Sequence, residues 1–218
     1  MTPARYRDGA RKVAPIGLAA FVFGASFGVL ARTSGIESVE AIVMSATTFA
    51  GSAQFAAASI LGAGGGVVSG IVAATLLNAR YAPISVSMAP LFTGGLLRRL
   101  LESQLIVDES WAVSRRPDGA FDRRLLVGAG LVLYPCWVVG TAVGAIAGEA
   151  LADPASLGLD AAFPALFLAL LVPQVRSRQA LAAAILGGGI ALVLLPITPA
   201  GVPIVAASAA CLIGWRKP

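Results

Sequence analysis

The chain has 218 residues, of which 57% are hydrophobic and only 12% charged, with a mean hydropathy of +0.85. That composition excludes an ordinary soluble domain and fits an integral membrane protein. The net charge of +5 does not indicate nucleic-acid binding, because the basic residues flank apolar runs and no basic stripe carries interleaved aromatics.

Of the 16 basic residues, all but Arg32 and Arg80 fall in four clusters: Arg5/Arg7/Arg11/Lys12, Arg98/Arg99/Arg115/Arg116/Arg123/Arg124, Arg176/Arg178 and Arg216/Lys217. Lys and Arg are retained on the cytoplasmic side of a bilayer, so the clusters mark one face. Glu37, Glu40, Glu149, Asp153 and Asp160 lie in two other connections. The apolar runs between them cover 13–31, 39–61, 67–79, 82–97, 125–147, 157–173, 180–195 and 202–215. A span needs ~20 residues, which the first, second and fifth runs supply comfortably. The first run has no clear cleavage site and reads as a retained helix. The shorter runs are punctuated by Gly64-Gly65-Gly66, Pro83, Pro90, Pro164, Pro173, Gly187-Gly188-Gly189, Pro196, Pro199 and Pro203, which limit regular helix to the stretches between.

The expected fold is an all-α polytopic membrane protein with about seven to eight apolar helices, some short, broken or re-entrant, and both termini cytoplasmic. It divides into a cytoplasmic tail (1–12), a first membrane half (13–97), a cytoplasmic basic loop (98–124) and a second membrane half (125–215). An even number of crossings must separate the tail from the basic loop. Residues 67–97 therefore hold two helices joined near 78–81, either a pair of spans or a re-entrant hairpin. The beginning of the basic loop mixes apolar and charged residues, as a helix lying on the membrane surface does.

Arg80, within Asn78-Ala79-Arg80-Tyr81, stands between two apolar runs. An arginine inside the membrane needs a partner, and its planar fork suits the carboxylate of an amino or organic acid. The bland alternatives are an interfacial anchor or a structural pair with an acidic side chain. The start of a second half-helix near Pro83–Ser85 would also favour an anionic group. In the second run Ser45, Thr48, Ser52 and Ser59 recur at spacings that place them on one side of a helix, with Thr47 and Gln54 as a neighbouring stripe. Such groups bind a polar ligand or knit helices together. The substrate-binding candidates are Gln54, Asn78, Arg80, Ser52, Thr48 and Ser85. Gly24/Gly28 and Gly140/Gly144 form small-xxx-small patterns, the mark of close packing within the bundle or against a second subunit.

No phosphate-binding glycine loop occurs, there is no His, and Cys136 and Cys211 both lie inside apolar runs. No catalytic, cofactor or metal residues are expected, and the chain does not read as an enzyme.

The segments MSATTFAGSAQFAAASIL and LLNARYAPISVSMAP resemble the AzlC family of branched-chain amino acid permeases, which shows a similar AG-small-SQF segment and an Asn/Asp-x-Arg-His element shortly after it. DESWAVS (Asp108 to Ser114), YPCWVVGTAVGAIAG (Tyr134 to Gly148) and LGLDAAFPALFLALLVP (Leu157 to Pro173) continue the similarity in order, over roughly 13 to 214 of the chain. The family pattern carries onto Gly51, Gln54, Asn78, Arg80, Asp108 and Glu109. The resemblance implies a multi-pass secondary transporter of the plasma membrane that exports branched-chain or other neutral amino acids. It also implies a small hydrophobic partner of the AzlD type, which the glycine-rich helix faces would contact, and a possible higher oligomer. Tyr81 stands where many relatives have His, so a role that needs imidazole titration does not carry over. The alternative is a channel-like or structural membrane subunit with no transport of its own.

Overall fold

The computed structural model describes residues 5–116, 118–150, 168, 171–172, 175–198 and 202–210. Along them run α1 (Tyr6–Thr33), α2 (Ser38–Thr48), α3 (Gly51–Gly62), α4 (Val67–Asn78), α5 (Tyr81–Met88), α6 (Leu96–Ser103), α7 (Asp108–Ser114), α8 (Arg123–Ala150), α9 (Arg178–Leu194) and α10 (Val202–Ala207). No strand occurs among the described residues, so the chain is an all-α membrane protein. All of the expected 157–173 helix but residues 168 and 171–172, the end of the 202–215 run and the Arg216/Lys217 cluster lie outside the described residues.

Two helices, Tyr6–Thr33 and Arg123–Gly148, are each long and apolar enough to cross a bilayer by themselves. At 1.5 Å per residue they reach about 40 Å, more than the ~30 Å hydrocarbon core. Asp122 starts α8, its Oδ1 accepting from the Arg124 N–H at 2.8 Å and the Leu125 N–H at 3.3 Å, two donors that the first turn of any helix leaves open. The expected break at 78–81 is present: α4 ends at Asn78, α5 starts at Tyr81, and the two axes are bent by 44°.

Glycine sets how the long helices meet. A Cβ on Gly24 would stand 2.5 Å from the Trp137 carbonyl oxygen, and one on Gly28 would stand 2.5 Å from the Ala145 nitrogen. On Gly140 and Gly144 it would land on the backbone of Phe21 and Ala25, and on Gly9 and Gly128 on that of Leu125 and Tyr6. The residue order is the same along both helices, so α1 and α8 lie parallel with their backbones in contact. Both small-xxx-small faces thus meet inside the chain, as the first of the two alternatives, close packing within the bundle, requires. Each helix fills the groove that the other's missing side chains leave.

A correction concerns the run 39–61, expected as one helix. Phe49 adopts the left-handed conformation (φ 42°, ψ 49°) and separates α2 from α3. The polar stripe is divided accordingly: Ser45 is buried, Thr48 is exposed at the end of α2, and Ser52 sits in the first turn of α3. A broken helix inside a bilayer must have its freed backbone groups satisfied. Here the Tyr134 hydroxyl donates to the Ala46 carbonyl at 2.7 Å, and the Gln104 amide donates to the Thr47 carbonyl at 2.9 Å. The Ala50 N–H on the other side of the break donates to Gln54 Oε1 at 3.2 Å.

The basic loop contributes more than a surface helix. α6 does present Leu96, Leu97, Leu100 and Leu101 outward, as an interfacial helix does. Glu102 ties it to the bundle by accepting from Arg98 and Arg123, and these guanidinium donors, Arg123 first, hold the Glu102 carboxyl below its ordinary range. α7 instead packs against α8 and α1, with Val107, Ser110 and Ser114 buried.

Candidate functional site

The two helix breaks face one cavity of about 280 Å³. Its polar lining is made by Ser52, Arg80, Tyr81, Asp108 and Glu109, and its apolar lining includes Ile16, Phe23, Phe49, Phe55, Leu133 and Trp137. Each polar group arrives by a different route. Ser52 and Gly51 open α3, Arg80 occupies the bend between α4 and α5, and Asp108 and Glu109 open α7.

Arg80 Nη2 donates to Ser52 Oγ at 2.9 Å and lies 3.0 Å from Asp108 Oδ2. Its guanidinium carbon stands 5.3 Å from the centroid of the Tyr81 ring, a cation–π distance. The Tyr81 phenol therefore supplies an aromatic face for the cation. Arg80 and Asp108 side chains are 41% and 43% exposed, so the ion pair is open to the cavity. Burial among the surrounding protein pushes the Glu109 carboxyl above its ordinary 4.5, and the neighbouring Asp108 charge adds to that.

Gln54 is fully buried and is absent from the cavity wall. It belongs to a closed ring of hydrogen bonds. Gln54 Nε2 donates to Ser45 Oγ at 2.8 Å, Ser45 shares a 2.8 Å bond with Thr141 Oγ1, and Thr141 donates to the Trp137 carbonyl at 3.0 Å. Trp137 Nε1 closes the ring by donating to Gln54 Oε1 at 3.1 Å. Because the Thr141 proton is used on Trp137, Ser45 must be the donor to Thr141. The ring fixes the Trp137 indole, whose edge would stand 2.7 Å from a Cβ at Gly51. Gln54 thus shapes the cavity through Trp137. Replacing it with leucine leaves the Trp137 and Ala50 donors and the Ser45 acceptor site without their partner. At about 1 kcal/mol or more for each buried group left unsatisfied, Gln54→Leu is expected to destabilise the protein by about 3 kcal/mol, read as a lower thermal midpoint in detergent.

Among the other sequence candidates, Ser52 and Arg80 meet in the cavity. Asn78 ends α4, off the cavity wall, with its Oδ1 buried and unpaired among the described residues. Thr48 and Ser85 are exposed and outside the cavity. The expected second half-helix starts at Tyr81, with Pro83–Ser85 in its first turns, but these three residues do not line the cavity, whereas Gly51 and Ser52 at the start of α3 do. Asp108 and Glu109 were visible in the sequence only as part of the DESWAVS similarity, because a segment taken for a soluble loop gives no reason to place its acids inside a bundle.

The profile of the AzlC protein family matches residues 15–151. The chain belongs to the AzlC family. The relatives it matches cover most of its length. It is 33% identical over 223 residues to an uncharacterized membrane protein of Archaeoglobus fulgidus, covering 97% of this chain and 95% of the relative. It is 25% identical to the inner membrane protein YgaZ of Escherichia coli, covering 89% and 84%. It is 26% identical to the branched-chain amino acid transport protein AzlC of Bacillus subtilis, covering 88% and 76%. No solved structure matches this AzlC-family chain.

Proposed function

We propose that this protein is the large subunit of a secondary transporter for branched-chain or other neutral amino acids, with its site in the Arg80 cavity. What supports the reading most is one cavity lined by an arginine, two acids and a set of aliphatic and aromatic side chains. A neutral amino acid has the matching parts. Its carboxylate goes to Arg80, beside the first turn of α3, where partnerless N–H groups and the helix dipole favour negative charge. Its ammonium goes to Glu109, and its hydrocarbon side chain lies against Phe23, Phe55 and Trp137. The relative named for branched-chain amino acid transport supports the substrate class.

In this reading the chain is a multi-pass protein of the cytoplasmic membrane. The basic clusters place both termini and the start of α8 inside, and the parallel course of α1 and α8 fits that arrangement. Transport is export by alternating access, together with a small hydrophobic AzlD-like subunit. The test is uptake of labelled leucine, valine and isoleucine into inside-out vesicles, with and without that subunit. Saturable uptake that shows counterflow is expected; linear, non-saturating flux favours a channel.

The elevated Glu109 carboxyl gives a pH prediction. Only the ionised form attracts the ammonium, and a raised pKa means that protonation begins at higher pH than for an ordinary carboxylate. Half-saturation for leucine is expected to rise as pH is lowered through that value, above 4.5. Glu109→Gln is expected to bind leucine weakly with the pH dependence gone, measured by uptake across a pH series.

A further inference from the structure

We propose that Asp108 is a resident counter-carboxylate which Arg80 exchanges for the carboxylate of the transported substrate. The proposal rests on the reading that Arg80 receives that carboxylate. It begins from how Arg80 is held. The Ser52 hydroxyl and the Tyr81 ring fix the guanidinium independently of Asp108, so the arginine keeps its place when the acid leaves. Both the Ser52 and the Asp108 contacts use Nη2, so neither of them engages the guanidinium fork by two nitrogens. A carboxylate that takes the fork by two oxygens makes a stronger contact than the Asp108 contact through one nitrogen.

The strength of the resident pair is suited to exchange. Both side chains are more than two-fifths exposed, and an ion pair in such surroundings holds its partners only modestly. As an internal competitor, Asp108 lowers the fraction of sites in which Arg80 is open, and the apparent affinity for substrate falls by the same factor. For a pair this exposed, the factor is roughly two- to fivefold. Released Asp108 lies beside Glu109 at the start of α7, so the two acids face the substrate ammonium together. When substrate departs, Asp108 takes Arg80 again and speeds the release. Each binding event would therefore alter how α7 is held against the α4–α5 bend.

The test uses the full-length protein with two independent readouts. Asp108→Ala removes the carboxylate from beside Arg80, and acetate, which carries that group, is expected to raise the thermal midpoint of the purified variant. The same salt should leave the wild type and Arg80→Gln/Asp108→Ala unchanged relative to chloride. In vesicles, Asp108→Asn is expected to lower half-saturation for leucine two- to fivefold and to lower the maximal rate as well. No acetate effect together with unchanged half-saturation would overturn the exchange and leave Arg80 as the site. Leucine transport by Arg80→Ala at wild-type half-saturation would instead remove the site itself. If the wild type carries none of the three branched-chain amino acids, the substrate reading fails and the acetate experiment alone decides whether Arg80 exchanges carboxylates. Should Asp108→Asn not accumulate, the swap Arg80→Asp/Asp108→Arg takes its place. Full transport by the swap would show a structural pair and overturn the proposal; a folded swap with weakened transport supports it.

Discussion

Arg80→Lys is expected to lower leucine transport at least tenfold at equal protein level. The side chain reaches Ser52, Asp108 and the Tyr81 ring with one planar group. A lysine ammonium is a point charge that cannot donate two parallel bonds to a carboxylate or stack as a plane on an aromatic ring. A charged hydrogen bond contributes about 1.5–3 kcal/mol, and each 1.4 kcal/mol is about a factor of ten. Initial rates of leucine uptake check this, and wild-type rates in the lysine variant would take the planar fork out of the site.

The second large effect lies away from the cavity. Gly144→Ala is expected to cost more than about 3 kcal/mol, because overpacking a tight contact costs about 1–3 kcal/mol even when side chains can move aside. Here the added methyl meets the Ala25 backbone, which can retreat only by separating α1 from α8. Little folded protein should survive size-exclusion chromatography in detergent. Gly188→Ala is the matched control: nothing lies within 4 Å of a Cβ there, and alanine favours a helix over glycine by about 1 kcal/mol. Equal loss in both variants would mean that the α1–α8 seam has no special role.

Long uninterrupted apolar runs were legible in the sequence, which is why α1 and α8 appear where 13–31 and 125–147 were expected. The bend at 78–81 was legible from crossing parity and from Arg80. The break at Phe49 was not, because no proline or glycine pair marks it and a left-handed phenylalanine contradicts local preference. Its cause is tertiary: Tyr134, Gln104 and Gln54, distant or on another helix, satisfy the freed backbone groups. For the same reason Gln54 was legible as unusual but not as a buried strut. Hydrogen-bonding capacity is written in one residue, whereas the direction it faces is set by Ser45, Thr141 and Trp137 together. The glycine patterns announced close packing without naming the partner, since any smooth helix face fits such a groove.

The pairing of α1 with α8 also fixes an order of events during synthesis. α1 leaves the ribosome before α8 and must wait for residues 123–150 before its smooth face is covered, and about ninety residues separate the two. Until then lipid tails have to occupy the groove, and the cavity lacks Leu133 and Trp137 from its wall. A chain interrupted in the basic loop would therefore leave an inserted but incomplete first half. Supplying 123–218 as a separate polypeptide should restore it.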